Sequence, residues 1–382
     1  MNNIKAILNQ INNIILLLDT TGKVQYVSPS VKNILGYSPD ELLGDQWWYK
    51  TNSGADIKEL KDLVLDQLER SVRLGGVQSE RPVETSFGSS KWFLWNTSIT
   101  NDGMIVSIGT DITEKKKKEV ELALKNNLLS EKNDEIQDSL DYAKRLQEVI
   151  LPDASVFQNA FSDAFLFFSP KDKVSGDFYW FYENDESIFV AAVDCTGHGV
   201  PGALLSVVGN SLLREIIIKR EIKSPGKILA ELDLGLTEAM SKNNELKARD
   251  GMDIALTKFI KETNELCFAG AYRPCILIKN EIQELVGSKY PIGFYITDEK
   301  VFDEVKIQLQ KGDRFYLFSD GITDQFGGPD DKKFKKAQLK DLLLKSENMT
   351  MNEQKDYIQY VFKNWQQGNE QTDDVLLIGL EV

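Results

Sequence analysis

The sequence predicts an α+β protein in three parts. An antiparallel sheet with flanking helices comes first, then a helical coiled-coil linker, then two sheets flanked by helices. Three observations predict this. Short β runs and turn signals fill residues 1–113. A charged stretch without Gly or Pro covers 114–150. Long β runs then alternate with helical stretches through 151–382. A chain of 382 residues suits two domains and a connector with these boundaries.

Composition narrows the function. With 42% hydrophobic and 10% aromatic residues the chain has the makings of packed cores. A net charge of -14 argues against a general nucleic-acid binder and against adhesion to an anionic membrane. Runs such as "NIILLLD" fall far short of a bilayer span, and no export signal opens the chain. Cys195, Cys267 and Cys275 are scattered and never spaced as CxxC, which disfavours zinc and disulfides and fits the cytoplasm. His198 is the sole histidine.

In the first part, "IILLLDTTGKVQYVS" reads as strand, turn, strand. "SPSVKNILGYSPDELLG" gives short helices opened by Ser/Pro and Pro/Asp start signals, and a further helix runs from Ile57 to Arg73. "RPVETSF", "KWFLWNTSIT" and "GMIVSIGTDIT" read as three sheet strands. This order, with "SPSVKNILGYSPDELLG" and the closing "GTDITE", resembles a PAS sensor domain over roughly Ile4 to Thr113. The absence of His and Cys from this part excludes a His-ligated haem and flavin-adduct photochemistry. Trp47, Trp48, Trp92 and Trp95 are candidates for a pocket lining or for aromatic core.

In the second part Leu122, Leu129, Ile136, Ala143 and Ile150 recur every seven residues, the spacing of one coiled-coil seam. The companion seam is poor: Lys125, Lys132 and Ser139 precede Leu146. The pattern predicts a long helix that pairs weakly at first and better toward its end. A homodimer through the first domain and this linker follows as an expectation.

In the third part "DAFLFFSP", "GDFYWFYE", "SIFVAAVD", "DIALTKFIKE", "NELCFAGAYRPCILIKN", "DRFYLFSD" and "DDVLLIGLEV" are strand-like. "VPGALLSVVGNSLLREIIIKR", "SPGKILAELDLGLTEAMSKNN" and "KKAQLKDLLLKS" are helical. Acidic residues share one setting here. Asp177 precedes an aromatic strand, Asp194 ends "FVAAVD", Asp320 ends "FYLFSD", and Asp373 with Asp374 opens "VLLIGL". Any one alone reads best as a turn or cap. Together at strand ends they suit hard divalent cations, because facing carboxylates repel unless a cation lies among them.

"VSGDFYWF", "VDCTGHGVPGALLS", "FAGAYRPCILI", "KYPIGF", "GDRFYLFSDGITDQFGG" and "NEQTDDVLLIGL" resemble, in order, the pieces of SpoIIE-type serine phosphatases of the metal-dependent PPM class. "YAKRLQEVILP" is similar to the helix leading into such domains. The resemblance implies an α-β-β-α sandwich and a two-ion Mn²⁺ or Mg²⁺ centre. Asp194 matches the shared ligand, with the Cys195 carbonyl, Asp177, Asp320 and Asp373 as the other ligands. It also implies a water nucleophile and a phosphoserine or phosphothreonine on a partner protein, in this family often a STAS-domain anti-sigma-factor antagonist. His198 reads either as a proton donor to the leaving oxygen or as a turn residue. Two departures stand out: Leu376 where the family has Thr, and Tyr272 where it often has His. A histidine-kinase reading fails because the linker has no histidine, and "FGGPDD" reads as a loop rather than a cyclase turn. The alternative is a catalytically inactive phosphatase fold that binds its partner without turnover.

Overall fold

The computed structural model describes residues 12–54, 56–71, 76–241, 250–293 and 300–382. Arg73, residues 242–244 and Phe294, at the ends of three stretches read from sequence, lie outside these, as does the start of the PAS-like segment. Two compact units, Met1–Asn133 and Asp134–Val382, divide the chain within one helix.

The first unit holds an antiparallel sheet of β1 (Ile14–Leu18), β2 (Val24–Val27), β3 (Val77–Glu84), β4 (Ser90–Ile99) and β5 (Ile105–Asp111). Their order is β2-β1-β5-β4-β3. The segment between β2 and β3 supplies helices Val31–Leu35, Gln46–Thr51 and Ile57–Ser71, and a 3-10 turn Pro39–Leu42. Ser38 and Glu41 form a capping box at that turn, as its Ser-Pro start signal leads one to expect. Period-2 alternation puts Phe93 and Trp95 of β4 on one face. There they bury against Ile14, Leu16, Leu35, Leu42, Trp47 and Trp48. Trp47 and Trp95 meet edge to face, so most of the tryptophans serve the core, while Trp92 stays exposed.

Helix Thr113–Ile150 follows, and Leu122, Leu129 and Ile136 of its seven-residue stripe are exposed in the single chain. Its buried residue is Gln147. The Gln147 amide donates to the Ser175 carbonyl at 2.6 Å and to Ser206 Oγ at 2.9 Å, and its Oε1 accepts from the Ser175 N–H at 3.0 Å.

The second unit stacks two antiparallel five-stranded sheets. The first contains β7 (Phe178–Glu183), β8 (Ser187–Cys195), β9 (Met252–Ile260), β10 (Glu265–Ala271) and β13 (Val305–Gln308). The second contains β6 (Asp163–Ser169), β11 (Cys275–Ile278), β12 (Ile282–Leu285), β14 (Arg314–Phe318) and β17 (Val375–Glu381). Ile188, Val190 and Phe268 of one sheet meet Leu277, Phe315 and Ile378 of the other in the central core. Helices Gly199–Arg214 and Pro225–Ser241 cover the outer face of the first sheet. Helices Lys335–Lys345 and Met351–Gln366 cover the second. This is the α-β-β-α layering.

Three details differ from the sequence reading. "NELCFAGAYRPCILIKN" breaks at Tyr272–Pro274, and its halves join different sheets. "FGGPDD" belongs to a small hairpin, in which β15 (Phe326–Gly327) pairs with β16 (Lys332–Lys333). Segment Gly199–Lys219 is long and apolar enough to pass for a membrane span, yet Leu205, Leu213 and Ile216 bury it against the first sheet.

Replacing Gln147 by Leu strips the Ser175 peptide of both partners inside the fold. Chemical denaturation is expected to show a loss of about 1–3 kcal/mol. A stability equal to the parent's would show that the Gln147 contacts contribute nothing.

Candidate functional site

Antiparallel register decides where the acidic residues meet. Phe178 pairs with Val193 and Asp194 pairs with Asp253, so the start of β7, the end of β8 and the start of β9 share one end of the first sheet. Phe318 pairs with Leu377, which places the end of β14 beside the start of β17 in the second. The two groups join directly. Arg273 Nη2 lies 2.7 Å from Asp194 Oδ2, 2.7 Å from Asp320 Oδ2 and 3.2 Å from Asp253 Oδ2. The arginine reaches them because it sits where the chain crosses between sheets, beside Tyr272 with φ +58.

The adjacent acids Asp373 and Asp374 divide their work. Asp374 accepts from the Lys171 and Gly176 N–H groups, both at 2.7 Å, and so clamps the loop ahead of β7. Asp373 accepts from the Asp374 N–H at 2.8 Å and stays half-buried. Asp177 is buried at 3% exposure, and its Oδ2 has no partner among the described residues. An added Cβ on Gly321 would sit 1.8 Å from the Asp374 carbonyl, so only glycine lets the turn after Asp320 pack there. Gly202 has the same role beneath the Gly197 carbonyl, at 2.2 Å. It serves backbone packing.

Burial and mutual repulsion hold these acids away from their ionised form. Burial, then the negative charges of Asp320, Asp253 and Asp373, push Asp194 up to about 8 against the pull of Arg273. Burial pushes Asp253 up to about 6. Burial and Asp194 raise Asp177 well above the carboxylate range. Arg273, although burial opposes its charge, is held protonated by Asp194, Asp320 and Asp253. Among the described residues no three acidic, imidazole or thiol groups close on one point at ligating distance. A guanidinium stands in their midst instead.

His198 lies on the rim. Its Nδ1 is 2.6 Å from Asp172 Oδ2 and its Nε2 is 3.3 Å from Lys171 Nζ. Lys173 pairs with Asp141 of the long helix rather than standing free. The Cys195 thiol is buried, and burial raises its pKa well above the ordinary value, which makes it a poor nucleophile. Sequence reasoning missed Asp253, although the signal was present: it opens the apolar run "DIALTKFI" directly after Gly251-Met252.

Residues 184–382 match the family described as Stage II sporulation protein E (SpoIIE), and residues 2–64 match the PAS fold. The chain is 26% identical over 200 residues to the phosphoserine phosphatase RsbU of Bacillus subtilis (strain 168). That match takes in 50% of this chain and 55% of RsbU, so the chain spans about half the length of this relative. The solved SiaA-PP2C domain of Pseudomonas aeruginosa is 30% identical with a TM-score of 0.60, covering 65% of this chain and 98% of that domain.

Carboxylates whose pKa is raised by folding bind more protons folded than unfolded, so stability falls as pH rises from about 4 through about 8. The protein is therefore expected to melt lower at pH 8 than at pH 6. An equal or higher melting temperature at pH 8 would contradict this.

Proposed function

From its membership of the SpoIIE family, to which the chain belongs, we propose that it is a PAS-regulated, metal-dependent protein serine/threonine phosphatase. One observation carries the reading. Asp194, Asp253 and Asp320 pair with the guanidinium of Arg273, and Asp177 and Asp373 add negative charge beside them. That excess of negative charge, with Asp177 Oδ2 unpartnered among the described residues, fits cations that prefer oxygen ligands. Asp194, the Cys195 carbonyl, Asp177, Asp320 and Asp373 would hold two Mn²⁺ or Mg²⁺ ions, with Asp253 beside them. When bound, such ions supply Lewis acidity for a water nucleophile and offset charge on phosphoryl oxygens.

The chain's own groups do the rest. Asp374 fixes the loop that carries Asp177, through two backbone N–H groups. Arg273 ties Asp194 to Asp320 and supplies a fork of donors suited to a phosphate. Asp172 accepts from Nδ1–H and orients His198, whose imidazolium form would offer its Nε2 proton to the departing serine oxygen. The substrate is a phosphoserine or phosphothreonine on a partner protein in the cytoplasm, of the STAS-domain anti-sigma-factor antagonist kind. The PAS domain acts through the linker helix in a homodimer, and Gln147 gives that helix a direct hold on the Ser175 peptide.

A second reading has its own observation. Arg273 among the carboxylates serves as a built-in counter-ion, and the domain binds its partner without turnover. Hydrolysis of p-nitrophenyl phosphate with and without Mn²⁺ separates the two, since only the phosphatase responds to the metal.

Asp194→Asn and Asp320→Asn are expected to cut Mn²⁺-dependent hydrolysis of a phosphoserine peptide by about a hundredfold or more, since even outer partners of metal sites cost 10–100-fold. Full activity in both variants would refute the assignment.

A further inference from the structure

We propose that Gln325 is a positioning residue of the acidic centre: its side-chain amide fixes the spacing of Asp320 and Asp373 for divalent cations. The proposal rests on the phosphatase reading and adds to it a residue outside the acidic set.

Asp320 follows β14 and Asp373 precedes β17. The ladder between these strands ends at the pair Phe318 and Leu377, with the Ser319 N–H bonded to the Leu376 carbonyl just past it. Both acids lie beyond that point, where strand pairing no longer places them. Ligating groups need placement to within about 0.5 Å, so something else must hold the two segments together.

Two ties do so, one at each end of the helical turn Gly321–Asp324. At its start Gly321 packs against the Asp374 carbonyl with no room for a Cβ. Just past its end stands Gln325, fully buried. Its Oε1 accepts from the Thr372 N–H at 3.0 Å, and its Nε2 donates to the Glu370 and Phe326 carbonyls, both at 3.0 Å. The amide thus grips the peptides on both sides of Gln371, immediately ahead of Asp373. The Gln325 carbonyl accepts from the Phe334 N–H at 2.9 Å and from Trp365 Nε1 at 3.1 Å, which anchors the residue to helix Met351–Gln366.

The turn is braced as well. The Asp320 carbonyl accepts from the Thr323 and Asp324 N–H groups at 2.8 and 2.7 Å, so Asp320 and Gln325 move as one piece. A shift of Gln325 against Thr372 therefore shifts Asp320 against Asp373. A buried amide is costly unless its groups are bonded, and an apolar side chain would fill the same space without that demand. Here the amide spends its bonds on the main chain that leads to a second acid. Partners behind the ligands of a metal site orient those ligands in this way.

The test measures Mn²⁺ binding to the full chain by titration calorimetry, counting only the heat that Asp194→Asn removes. Gln325→Met keeps the volume and discards the amide. It is expected to raise the Mn²⁺ Kd about tenfold or more, with the circular dichroism of the parent. Gln354→Leu is the comparison, since this buried amide bonds Tyr316 and Ser346 instead. It is expected to lower the melting temperature without moving the Kd. Should Gln325→Met not fold, Gln325→Asn draws the amide back by one methylene and is expected to weaken Mn²⁺ binding in the same sense. An unchanged Kd in whichever Gln325 variant folds, or an equal loss in Gln354→Leu, would overturn the proposal. So would failure of both Gln325 variants to fold, which would make the residue part of the fold alone. A parent without Asp194-dependent heat would instead remove the phosphatase reading, and this proposal with it.

Discussion

The organising constraint of the second unit is repulsion among buried carboxylates. Asp177, Asp194, Asp253, Asp320 and Asp373 come from both sheets, and burial raises four of them, Asp177, Asp194, Asp253 and Asp373, above the usual range. Such a cluster is unfavourable alone and holds together only around positive charge. In this structure Arg273 provides that charge, from the point where the chain passes between sheets. The sandwich brings strand ends together, the strand ends carry acids, and the acids set the chemistry.

The acidic cluster was largely legible because each member stops or starts an apolar β run, a pattern that survives without any knowledge of pairing. What was not legible follows from pairing itself. Asp253 became part of the site only through its register with Asp194. Which of Asp373 and Asp374 turns toward the cluster depends on which is captured by the Lys171 and Gly176 amides, and no local pattern reveals that. The reach of Arg273 into the cluster was hidden, since the crossing at Tyr272 lies inside one stretch that reads as a single strand. Strands Ile282–Leu285 and Val305–Gln308 escaped notice because each has four residues and one exposed face at a sheet edge.

The first unit and the long helix show the same division. Alternation in β4 exposed the core face readily, and a heptad stripe marked the helix. The polar residues that interrupt these patterns, Arg81 in the sheet and Gln147 in the helix, look like imperfections in sequence. In the fold Gln147 is buried and bonded to the Ser175 peptide, whereas Arg81 is partly buried and lies beside the Trp48 and Trp95 rings. Polar groups inside a core carry more information about function than the apolar residues around them.

The most direct measurement is an anomalous diffraction map at the manganese edge from crystals grown with Mn²⁺. The account predicts peaks bounded by Asp177, Asp194, Asp320 and Asp373, with the Arg273 guanidinium displaced from its bridging position. Absence of manganese from that cleft, with Arg273 still bonded to Asp194 and Asp320 at saturating metal, would contradict it.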